Sequence, residues 1–122
     1  MRRVSARGLL LVSLLSALCA GPALAHSGLR RAEPAPDSKL SRAPNEVRLA
    51  FSERLEPAYS KLRVEDEKGN EVDLRDAHVD RTDRLHLRVS LPTLGPGVYT
   101  VIWRALSVDG HATEGRFTFR VE

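Results

Sequence analysis

Behind a Pro-containing start, apolar and polar residues alternate with a period of two, and no apolar stripe of helical period competes with that signal. Val47, Leu49 and Phe51 alternate with Arg48, Ala50 and Ser52, and Leu62 and Val64 with Lys61, Arg63 and Glu65. Such alternation marks strands with one face buried and one in water. Lys68-Gly69-Asn70 predicts a turn leading into a further short strand at Val72 and Leu74. Leu85, Leu87, Val89 and Leu91 then alternate with His86, Arg88 and Ser90 until Pro92 ends the run.

Tyr99, Val101, Trp103 and Ala105 share one face of the next strand, and Phe117, Phe119 and Val121 point inward from the last one, with Arg116, Thr118 and Arg120 outward. The stretch Leu94-Gly95-Pro96-Gly97-Val98-Tyr99 has the form of a tyrosine corner, in which a Tyr near the start of a late strand bonds back to the preceding connection. About seven short strands without helices predict an all-β, immunoglobulin-like Greek-key β-sandwich, with a small barrel as the rival. The aromatic residues Phe51, Tyr59, Tyr99, Trp103, Phe117 and Phe119 are assigned to strand faces or their ends as core packing, Trp103 at the centre. There is no internal repeat, linker or low-complexity tract.

The first residues read as an export leader. Arg2, Arg3 and Arg7 supply a positive start, Gly8 to Ala20 is a 13-residue, mostly apolar run too short to span a bilayer, and Ala23-Leu24-Ala25 follows Gly21-Pro22 as a small-x-small cleavage site. A secretory signal over 1–25 and a single domain over 26–122 are expected. A lipoprotein signal leaving Cys19 as first residue is the rival, with bulky Leu18 against it.

Removing the leader changes the balance of charge and sulfur. It leaves 97 of 122 residues and takes three of the 19 Lys+Arg but none of the 16 Asp+Glu, so acids and bases balance at 16 each. No run of basic residues longer than Arg30-Arg31 exists, which argues against nucleic acid or an anionic membrane as partner. Cys19 and Met1 are the only sulfur residues and both fall in the leader. The exported chain therefore has neither a disulfide nor the soft donors that favour copper(I).

Cleavage after Ala25 would make His26 the amino terminus. Its α-amine and imidazole Nδ1 can then close one chelate ring on a metal ion, and an α-amine pKa of about 7.7–8.0 lets a metal displace the proton near neutrality. Copper(II) suits such nitrogens, standing at the top of the divalent affinity order and preferring a tetragonal plane. Asp109 and His111, two apart in Ser107-Val108-Asp109-Gly110-His111-Ala112-Thr113, project to one side in extended backbone, and Gly110 allows the bend that converges them. With His26 they supply four donor atoms. His78 and His86 read as solvated side chains, the Asp76, Asp80, Asp83 spacing lacks the features of a calcium loop, and no Ser/His/Asp triad or phosphate loop is visible.

The run Val101 to Gly115, with its Trp-Arg-Ala-x-Ser-x-Asp-x-His pattern, resembles the CopC family of copper-resistance proteins. So do His26-Ser27, Pro34-Ala35-Pro36 and Phe51-Ser52-Glu53, and the likeness covers essentially all of the chain after the leader. The resemblance implies a periplasmic, non-enzymatic copper-binding sandwich holding one copper(II) ion through His26, Asp109 and His111. It implies a carrier or reservoir, monomeric, acting beside a CopD-like inner-membrane copper transporter in copper homeostasis or resistance. Glu53 stands where the family has a glutamate near the site, as an acceptor beside the ligands, an occasional ligand, or a solvated carboxylate. The Met-rich copper(I) loop of some relatives is absent.

Two other classes stay open. An N-terminal His plus a second His is also the copper brace of polysaccharide monooxygenases, although Asp109 would occupy the position oxygen needs. A metal-free adhesion or assembly sandwich would make His26 and Asp109 coincidental.

Overall fold

The computed structural model describes residues 28–122. Eight strands form two four-stranded sheets: β1 (Leu29–Glu33), β2 (Lys39–Leu40), β3 (Glu46–Phe51), β4 (Lys61–Glu65), β5 (His78–Val79), β6 (His86–Ser90), β7 (Gly97–Leu106) and β8 (Ala112–Val121). One sheet runs β1-β3-β6-β5, the other β2-β8-β7-β4. All pairings are antiparallel except β2 with β8. The sandwich architecture is the expected one. The strand count exceeds the expected seven because β2 and β5 are two-residue edge pieces.

The alternating residues meet between the sheets. Val47, Leu49, Phe51, Leu87 and Val89 from one sheet face Leu62, Val64, Tyr99, Val101, Trp103, Phe117 and Phe119 from the other, all buried. Full burial of each large apolar side chain contributes roughly 1.5–3 kcal/mol, which lets a domain of this size hold together without staples. Trp103 is central as expected, with Phe51 edge-on to it at 5.3 Å between centroids. Tyr59 departs from the core assignment: it lies in a 3-10 turn at Pro57–Tyr59 and is 65% exposed.

The tyrosine corner is present, Tyr99 Oη donating to the carbonyl of Gly95 at 2.7 Å. The strand expected at Val72 and Leu74 does not form. The buried carboxylate of Asp73 takes the place of a backbone ladder partner, accepting from Val64 N and Arg75 N at 2.8 Å each. Only a bridge between Glu65 and Glu71 remains of that pairing, and Leu74 is exposed.

On the outer face of the first sheet Arg88 joins Glu46 on β3 at 2.8 Å and Asp80 beyond β5 at 3.2 Å. Thr82, donating from both backbone and hydroxyl, and then Arg88 hold the Asp80 carboxyl well below its ordinary 3.8.

Replacing Tyr99 by Phe removes one hydrogen bond worth about 1 kcal/mol, so the melting temperature should drop by about 4 to 8 °C. An unchanged melt would show the corner to be ornamental. A lowered folded-state pKa adds stability above 3.8 that disappears as pH falls below it. The melting difference between wild type and Asp80→Asn should accordingly be present at neutral pH and shrink below pH 3.8, as thermal denaturation across that range will show.

Candidate metal centre

At one end of the sandwich β7 must turn back into β8, and this turn carries Asp109 and His111. Ser107 closes it: its backbone N–H donates to His111 O at 2.9 Å, and its hydroxyl accepts from His111 N at 3.1 Å. The same hydroxyl donates to the Asp109 carboxylate in a very short hydrogen bond. Gly110 takes φ +93, the left-handed conformation that a side chain resists, at the bend expected there. Val108 N donates to Arg54 O at 2.9 Å, tying the turn to the segment that follows β3.

That tie brings Glu53 from the first sheet's side to the two residues of the second. His111 Nδ1 lies 3.2 Å from Asp109 Oδ2 and 3.8 Å from Glu53 Oε2. Donor atoms sharing one ion at bonds of about 2 Å can be no more than about 4 Å apart, so these spacings suit a common metal. Among the described residues Glu53, Asp109 and His111 form the group whose donor atoms all lie within 4.8 Å of one another. All three are exposed, His111 at 76% of its side chain and the two carboxylates at 44%. Donation from the Ser107 hydroxyl first, and from the His111 backbone N–H, lowers the Asp109 pKa to about 2. The group is therefore ionised, the form a metal requires, across the physiological range.

Beside these donors lies an open cleft of about 250 Å³ with an apolar floor of Phe51, Leu55 and Ala105 and a rim that includes Glu53, Ser107, His111 and Gly28. Gly28, at φ +110, is held there by Ser52 N donating to its carbonyl at 2.7 Å.

Asp109 and His111 thus converge as expected, and Glu53 joins them. His26, Cys19 and the leader lie outside the described residues. His78 sits on β5, exposed, with Nδ1 2.8 Å from Asp76 O, and His86 Nδ1 lies 3.5 Å from Asp83 Oδ2; neither joins the cluster. The sequence reading gave Ser107 no role. Its place two residues before Asp109 and four before His111, in one tight turn, is the signal that marks it.

Comparison with known proteins identifies the family. Protein YobA of Escherichia coli K12 is 34% identical over 113 residues, 92% of this chain and 91% of that protein. The crystal structure of CopC from Methylosinus trichosporium OB3b superposes with a TM-score of 0.72 at 35% identity, over 80% of this chain and 94% of that one. PcoC, a methionine-rich copper resistance protein from Escherichia coli, superposes with a TM-score of 0.64 at 29% identity, over 78% of this chain and 97% of that one. The CopC domain family model matches residues 29–122, through both sheets and the turn between β7 and β8, and this chain belongs to the CopC domain family.

Proposed function

We propose that the chain is an exported, periplasmic copper(II) carrier or buffer in copper homeostasis or resistance, monomeric and non-enzymatic, serving a CopD-like membrane copper transporter. The observation that carries this reading is the convergence of Glu53, Asp109 and His111 at the cleft rim where Gly28 enters the fold. With the leader removed after Ala25, His26 stands two residues before Gly28, within about 7 Å of it by chain length alone. Its amine and imidazole can therefore reach the ion that Asp109 and His111 hold. Copper is the cargo, drawn by two imidazoles, an amine and a carboxylate, and the absence of sulfur after residue 25 disfavours copper(I). With a metal bound, the Asp109 carboxylate, 3.2 Å from His111 Nδ1, would take a position that an oxygen-activating brace leaves open, which favours a carrier over an oxidase. The partner and compartment follow from the family resemblance and the leader.

Copper(II) titration of the exported form should show one tight equivalent. Adding one glycine before His26, or replacing His111 with Ala, should weaken it by more than about 100-fold, the upper range for losing a supporting group of a metal site. Undiminished affinity in either variant contradicts the ligand set. Glu53→Gln should cost about 10-fold with an unchanged visible spectrum if Glu53 only accepts beside the ligands, whereas a shifted absorption band would mark it as a ligand.

A further inference from the structure

The alternation that scatters basic residues along the sequence gathers them on one surface once the strands are in register. On the outer face of the β2-β8-β7-β4 sheet, Lys61 stands beside Arg104, Arg63 lies one pair along in the row of Ile102 and Arg116, and Arg120 stands beside Lys39. Against these six cations the strands of the face carry two acids, Glu65 and Glu114, with Glu71 at its edge, and among the described residues the ion pair within it joins Arg63 to Glu65 at 3.4 Å. Lys61, Arg104, Arg116 and Arg120 are exposed and make no ion pair with a carboxylate among the described residues. The opposite sheet differs: Arg31 pairs with Glu33, Arg48 with Glu46, and Arg88 with both Glu46 and Asp80. Charges that balance over the chain after the leader are thus unevenly placed, six cations against two acids on the strands of this one face.

We propose that this face docks on an anionic phospholipid bilayer. Charge complementarity selects an anionic partner, and the form of the face selects a membrane over a protein. Lys61, Arg63 and Arg104 border an open cleft with Glu71 and Glu114, while Lys39, Arg116 and Arg120 lie outside it, so the cations span the four-stranded sheet rather than converging on one pocket. The exposed large apolar side chains, Tyr59, Leu74 and Val108, belong to none of its strands, so it lacks the apolar anchors on which protein interfaces rest. Attraction of clustered Lys and Arg to anionic headgroups needs no such anchor and accumulates with each charge. The row of Lys61 and Arg104 is next to the turn bearing Asp109 and His111, so docking by this face holds the metal site beside the membrane surface. The expectation from sequence that no basic patch exists fails because cross-strand register, not chain order, makes this one.

The test is co-sedimentation of the exported form, free of metal, with vesicles of phosphatidylglycerol mixed with phosphatidylcholine, and with phosphatidylcholine alone. Binding should be confined to the anionic vesicles and weaken steeply as salt is raised. The double variant Arg104→Glu and Arg116→Glu should lose about 25-fold or more in affinity, two cations at roughly fivefold each. Arg42→Glu with Arg81→Glu, which changes net charge equally on other surfaces, should bind within a few-fold of wild type. Matching melting curves will show that both variants fold, and Arg104→Gln with Arg116→Gln supplies a milder pair. Absence of binding to anionic vesicles overturns the proposal, including where the face instead captures an acidic protein or another soluble polyanion. Equal losses in the two charge-reversal variants overturn it as well.

Discussion

Closure of the turn between β7 and β8 is the constraint on which the site depends. Two ten-residue antiparallel strands fix where the turn begins and ends, and Ser107, buried at its base, decides how it is filled. One hydroxyl there accepts from the backbone of His111 and donates to the carboxylate of Asp109, so a single atom fixes the Asp109 side chain and the backbone that carries His111. The bond from Val108 N to Arg54 O adds the second restraint, pinning the turn to the opposite sheet's connection and with it Glu53. Such a group, held by backbone-anchored contacts, needs little rearrangement to accept an ion.

The rest of the sandwich supplies rigidity beneath this rim. Trp103 and Phe51 pack edge to face below the cleft, and Phe51 also forms part of its floor, so the core and the site share a wall. The donors themselves remain in water. That exposure would leave an ion bound at the rim open to approach by another protein's ligands without unfolding of the domain.

The strands legible in the sequence are those with one face in the core. β3, β4, β6, β7 and β8 each bury alternate residues, and their periodicity shows it. β1 buries only Ala32, and β2 and β5 have two residues each, so edge pairing leaves no pattern to read. The apolar residues at Val72 and Leu74 misled because a buried side chain, Asp73, satisfies the neighbouring strand's backbone, an interaction that periodicity does not report. Asp109 and His111 were legible because their proximity is local. Glu53 was only half legible because it arrives from another sheet, and Ser107 was overlooked because a hydroxyl's role depends on what the fold places around it.

In the proposed copper(II) site the amino-terminal His26 and the turn residue His111 would grip one ion together. Pulsed electron paramagnetic resonance of the exported protein loaded with one equivalent of copper(II) counts the imidazoles on the metal directly. Modulation from two imidazole nitrogens, reduced to one in the His111→Ala variant, is the expected result. A single imidazole in the unaltered protein would contradict it.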